Sequence, residues 1–136
     1  MMRGLFLGFL VMVVAGCTPA PERVPPKMLP ENSPPLAYAE LFTRARQQVN
    51  AANDAFYVNS WGELEENARG LEQTASFLAK AVDVPDRHKD TLAVLANDLG
   101  KEAANLRKAA ETHEVEKTTE SLRRIQLKVR EMRLEK

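Results

Sequence analysis

Cysteine, aromatic residues and a net charge of either sign are what this chain has least of. A single cysteine, Cys17, stands among 136 residues. No disulfide can therefore form within the chain, and the fold has to stand without one. Lys plus Arg and Asp plus Glu number 19 each, for a formal net charge of zero. Phosphate backbones are bound by clustered, uncompensated cations, so no nucleic-acid partner is expected. Aromatic residues make up 6% of the chain, and no stretch alternates as a half-buried strand would.

The inventory for chemistry is equally short. His88 and His113 are the two histidines. A di-iron bundle uses Glu-x-x-His pairs, but Pro85 and Ala110 stand three residues ahead of them. Both fall at expected helix starts, off the apolar stripes, and read as solvated end residues. Covalent haem needs Cys-x-x-Cys-His, which one cysteine cannot supply. No nucleophile elbow, Gly-rich phosphate loop or zinc spacing occurs. Glu63, Glu65 and Glu66 read as a solvated first turn that complements a helix dipole, and Trp61 as a core or loop plug. The expectation is a chain with no catalytic residue, no metal and no cofactor, and so not an enzyme.

What is there begins with "MMRGLFLGFLVMVVAGC". Arg3 supplies a positive start, and Leu5 to Val14 are apolar apart from Gly8. A membrane-spanning helix needs about 20 apolar residues, which this run does not reach. A short apolar run followed by small residues is the pattern of a signal peptide. Val14, Ala15, Gly16 and Cys17 resemble the bacterial lipobox position by position: aliphatic, small, Gly or Ala, then Cys. The resemblance implies cleavage before Cys17, a diacylglycerol on its sulfur and a further acyl chain, such as palmitate, on the new amino group. Two or three chains hold a protein stably, at about 0.8 kcal/mol per buried CH₂. Thr18 rather than Asp follows the cysteine, which in Gram-negative examples implies the outer membrane. The expected place is the cell envelope, facing the periplasm. The expected partners are a membrane, through Cys17, and an envelope protein of unknown identity.

"TPAPERVPPKMLPENSPPLA" comes next, with prolines at 19, 21, 25, 26, 30, 34 and 35. Proline fixes φ and removes a donor, so neither helix nor sheet propagates here. The stretch is expected to be an extended spacer of about 3.1 Å per residue. The chain thus divides into a signal peptide (1–16), a lipidated cysteine with a proline-rich tether (17–36) and a helical domain (37–136).

Within that domain, apolar residues recur at steps of three and four, the mark of amphipathic helices. Tyr38, Leu41, Phe42, Ala45, Val49, Ala52 and Phe56 form the first stripe. Ser60 and Glu63 read as a capping box ahead of the second, Trp61, Leu64, Ala68, Leu71, Ala75, Leu78 and Val82. Pro85 should end that helix, and Asp86 should cap a third. The third stripe is Leu92, Leu95, Leu99, Ala103, Leu106 and Ala110, with Gly100 inside it as either a close backbone approach or a tolerated cost. Thr112 is a candidate cap for the fourth, Val115, Thr118, Leu122, Ile125, Val129 and Met132. Four helices with short connections predict an all-α, antiparallel up-down-up-down four-helix bundle.

Two further readings concern surfaces and family. Arg123, Arg124, Lys128, Arg130 and Arg133 make the fourth helix basic, while Glu63, Glu65, Glu66, Glu72 and Asp83 make the second acidic; the two are expected to be complementary neighbours. Residues 60–133, from "WGELEENARGLEQTASFLAKA" to "LRRIQLKVREMR", resemble the cytochrome c-prime type of four-helix bundle. Ile125, Lys128 and Val129 stand where its two cysteines and histidine would be, and Arg133 matches its trailing arginine. The resemblance implies the topology without the attached haem. A scaffolding or protein-interaction module is the leading expectation, and a non-covalent haem protein for electron transfer or gas sensing is the alternative.

Overall fold

Steps of three and four gather side chains on one face of a helix with 3.6 residues per turn, and that face must be covered. The computed structural model describes residues 26–133. Five helices follow in order: α1 (Tyr38–Tyr57), α2 (Trp61–Leu78), the single turn α3 (Asp86–Lys89), α4 (Leu92–Glu111) and α5 (Val115–Glu131). The described chain is all-α; its nearest approach to a strand is an isolated parallel bridge between Ala37 and Val82.

One core draws on all four long helices. Leu41, Leu71, Leu99 and Ile125, one from each, are completely buried within it. Covering a side chain of that size is worth about 1.5–3 kcal/mol. α2 packs most closely on α4, then α1 on α2 and α4 on α5, while α1 and α5 meet least. Small residues shape the α2–α4 seam: a Cβ on Gly100 would lie 3.5 Å from that of Ala75, an ordinary contact. Gly100 is therefore a tolerated residue rather than a forced close approach. Thr118, the polar member of the last stripe, is fully buried, and its hydroxyl has no hydrogen-bond partner.

The helix ends depart from expectation. Ser60 holds the N-cap position of α2 but makes no side-chain cap bond. Its own amide donates to the Ala55 carbonyl at 2.8 Å. The donor that Glu63 would have engaged in a capping box is thereby consumed. α2 stops at Leu78, short of Val84, because Val82 is pulled aside. Its amide donates to Leu36 at 3.0 Å and its carbonyl accepts from Tyr38 at 2.9 Å. Val82 is consequently 45% exposed rather than part of the seam. Asp86 does not cap the third long helix: it opens α3 and pairs with Lys89 at 2.6 Å. α4 begins only at Leu92. Thr112 closes α4 instead of opening α5. Its hydroxyl donates to the Glu114 carboxylate at 2.7 Å, and Glu114 takes the N-cap of α5.

The proline-rich stretch is expected to be an extended spacer; its described second half lies against the helices. The Leu29 amide donates to Gln73 Oε1, and Gln73 Nε2 donates back to the Leu29 carbonyl, both at 2.7 Å. Arg44 Nη1 donates to the Lys27 carbonyl at 2.7 Å. Leu29 and Leu36 pack on the core. The proline-rich backbone thus finds partners in side chains of α1 and α2, which compensates for its inability to form a helix.

Candidate functional site

Val14, Ala15, Gly16 and Cys17, the expected lipobox, lie outside the described residues. Among the described residues, no helix is long and apolar enough to cross a membrane.

The two histidines occupy different ends of the helices; His113 is an exposed end residue, as expected, and His88 is buried. α3 places His88 against the first residue of α1, where it is 3% exposed. Its ring stacks on Tyr38 with centroids 5.6 Å apart. Its Nε2 lies 3.0 Å from the Arg133 carbonyl. Tyr38 in turn donates its hydroxyl to the Met132 carbonyl. Together these contacts tie α1, α3 and the end of α5. Sequence spacing placed His88 off the stripes, and that was correct; it is buried by tertiary contact with α1, which helical periodicity does not encode.

At the opposite end, His113 adopts a left-handed backbone with φ 54° and stacks on Trp61 at 4.8 Å. Trp61 also meets Phe56 edge-on at 5.8 Å. The indole plugs the end of the core, in keeping with its expected role.

These positions decide the fit for haem. An axial histidine needs a free nitrogen aimed at the iron. His88 Nε2 is directed at a backbone carbonyl and its ring is covered by Tyr38. His113 sits against Trp61 at the far end. His88 therefore does not fit axial ligation. Among the described residues, no three His, Cys, Asp or Glu side chains come together as a metal site would need.

Charges distribute differently from the expected pairing of α2 with α5. α4 mediates between them. Arg107 of α4 forks onto Glu72 of α2, Nε at 2.8 Å and Nη2 at 3.3 Å, and the Glu72 hydrogen bond, with its charge, raises the arginine pKa. On the other side, Glu102 and Asp98 of α4 face Arg124 and Lys128 of α5, each at 3.6 Å. The basic residues of α5 that face α4 are thus neutralised.

Those that face α1 are not. Between α1 and α5, where the helices meet least, runs a groove with a volume of about 170 Å³. Phe42, Val49 and Val129 make its floor, and Arg46, Arg130 and Arg133 line it together with Asn50, Asn53 and Gln126. The Arg46 guanidinium lies 5.8 Å above the Phe42 ring. Gln126 donates to Asn53 at 3.2 Å. Among the described residues, no carboxylate lines the groove and none forms an ion pair with its three arginines.

By sequence alone, Arg130 and Arg133 belong with the rest of the basic α5 face, and nothing in that pattern includes Arg46. A sequence signal does exist. Helix neighbours at three and four residues are where a pairing acid would stand. Around Arg46 those positions are Phe42, Thr43, Val49 and Asn50. Around Arg130 they are Gln126, Leu127, Arg133 and Leu134.

No family model matches the chain, nor does any curated protein or any solved structure.

Proposed function

We propose that this chain is an exported lipoprotein, held at a membrane by acyl chains on Cys17, that presents a non-enzymatic helical domain to partners in the cell envelope. The observation that carries the reading is the order of residues at the start of the chain. A positive residue, an apolar run too short to span a bilayer, and Val14-Ala15-Gly16-Cys17 follow one another as in a lipobox. The helices are arranged as an antiparallel up-down-up-down bundle, similar in topology to the cytochrome c-prime type. In support, α1 lies on α2, α2 on α4, α4 on α5 and α5 on α1, with short connections between them.

The mechanism is positional. Acyl chains confine the domain to a surface and raise its effective concentration near anything else held there. With residues 26–36 docked on α1 and α2, the length between anchor and domain is set by residues 17–25. A chain reaches at most about 3.3–3.6 Å per residue, so these nine residues bound the separation at roughly 30 Å. Partners therefore lie close to the membrane.

The reading is tested in cells that express the chain and its Cys17→Ser variant during growth with labelled palmitate. The parent chain should be labelled and sediment with membranes, and the variant should be unlabelled and released. Unlabelled parent protein, or equal membrane retention of both, refutes the anchor.

A further inference from the structure

We propose that the groove between α1 and α5 is a binding site for a phosphate group, gripped by Arg46, Arg130 and Arg133. The inference is separate from the Cys17 anchor, since it rests on residues of the folded domain alone.

Three arginines side by side repel one another, and a surface helix with a purely structural purpose relieves that with nearby acids. This molecule does so elsewhere: Arg107 has Glu72, Arg124 has Glu102 and Lys128 has Asp98. Along the seam with α1, three guanidinium groups without an acid line one groove, contributed by both walls. The amides of Asn50, Asn53 and Gln126 add neutral donors to the same walls. A guanidinium fork matches the oxygens of phosphate, and charge-assisted bonds of this kind are the strong ones. A volume of about 170 Å³ suits a head group rather than a helix or a drug-sized molecule, for which pockets run to about 300 Å³ and more.

The groove is also held in shape. Phe42 on its floor stacks on Tyr38 at 6.4 Å, and Tyr38 on His88 at 5.6 Å. Tyr38 and His88 fix the carbonyls of Met132 and Arg133, so the last turn of α5 cannot fray away from α1. The backbone that carries Arg130 and Arg133 is therefore held beside α1, which removes part of the ordering cost of binding.

The test uses the full chain carrying Cys17→Ser in neutral maltoside micelles, so that acylation plays no part. Glycerol phosphate, short-chain phosphatidylglycerol, short-chain phosphatidylcholine and glutarate are titrated in turn at about 0.15 M ionic strength, where long-range attraction is screened. Side-chain amide signals of Asn50, Asn53 and Gln126 and the arginine Nε–H signals are followed by NMR. Saturable shifts are expected with the two anionic phosphate compounds. A response to both places the recognition in the phosphate itself, a response to phosphatidylglycerol alone assigns a lipid head group, and one to glycerol phosphate alone assigns a soluble phosphate. Arg46→Gln and Arg130→Gln should each weaken binding roughly tenfold or more, with a melting temperature unchanged or raised because repulsion is relieved. No saturable shift with either phosphate, tighter binding of glutarate, or full binding by the double variant overturns the proposal. A lowered melting temperature in both single variants would assign the arginines a structural role and overturn it as well.

Discussion

Tyr38 donates its hydroxyl to the Met132 carbonyl at 2.5 Å, joining the first turn of α1 to the residue that closes α5 across 94 positions of sequence. Both residues are completely buried. The bond closes the helical array between its first and last members, which otherwise touch least. Arg133 follows directly, and its carbonyl is held by His88. The geometry of the basic groove therefore depends on a phenol and an imidazole that never enter it.

That bond makes stability sensitive to alkali. Burial pushes the Tyr38 pKa up to about 12, with the Arg87 charge acting in the opposite sense. In an unfolded chain tyrosine ionises near pH 10. Between these values the unfolded chain has lost the proton and the folded chain keeps it. Stability from this group is complete below about pH 10 and falls as the pH rises towards about 12, by roughly 2–3 kcal/mol in all. Urea unfolding at stepped alkaline pH should show the decline. Tyr38→Phe should be about 1–2 kcal/mol less stable at neutral pH, because the Met132 carbonyl loses its partner. It should also lack this part of the alkaline fall. Parallel curves for the two proteins would show that Tyr38 is not the group responsible.

A second prediction concerns two glycines of one helix. A Cβ on Gly70 would lie 2.7 Å from Gln48 Nε2. Gln48 is 2% exposed, and its Oε1 accepts the hydroxyl of the fully buried Thr74 at 2.7 Å. Gly70→Ala should gain up to about 1 kcal/mol in helix propensity. Against that, it displaces the Gln48 amide and strands a buried hydroxyl, at about 1–3 kcal/mol. The net expectation is a loss. Gly62 is exposed and has nothing within 4 Å of the same position, so Gly62→Ala should gain up to about 1 kcal/mol. Urea midpoints should rank Gly62→Ala above the parent and the parent above Gly70→Ala. A stabilised Gly70→Ala would mean that Gln48 turns aside at no cost.

The contrast between these glycines shows what the sequence could reveal. Gly100 drew notice because it interrupts an apolar stripe, yet it meets only an ordinary contact with Ala75. Gly70 lies off the stripe, and its constraint comes from Gln48 on another helix. The stripes themselves were legible: Leu64, Leu71, Leu78, Leu99, Leu106 and Ile125 are completely buried, as their spacing required. Helix periodicity is a local property, and burial follows from it. Ends are decided by competition for backbone donors. Ser60 loses its capping box to Ala55, and α2 ends early because Val82 pairs with Leu36 and Tyr38. No pattern of side chains announces either event. The groove was half legible, since the missing acids at three and four residues from Arg46 and Arg130 can be read directly. That α1 and the last helix lie side by side is implied by the expected bundle, but the rotation that turns Arg46, Arg130 and Arg133 into one groove is not.

The last prediction addresses the docked half of the tether. Proline disfavours helix but leaves every carbonyl, and each remaining amide, in need of a partner. At Leu29 both needs are met by one side chain, Gln73, through two bonds of 2.7 Å. Each such bond contributes about 0.5–1.5 kcal/mol, and both are only partly buried. Gln73→Ala should therefore loosen the segment without unfolding the helices. Hydrogen exchange at the Leu29 amide should accelerate by roughly tenfold or more, the equivalent of about 1.4 kcal/mol in opening free energy. The amides of Leu71 and Leu99, deep in the core, should exchange at their former rates. Arg44 and the Leu36–Val82 bond hold the same segment at two further points, so the global melting temperature should move little. Faster exchange throughout α2 would instead mean that Gln73 supports the helix itself. An unchanged Leu29 rate would mean that Arg44 and the packing of Leu29 and Leu36 suffice to hold the tether, leaving the two Gln73 bonds without consequence for its reach.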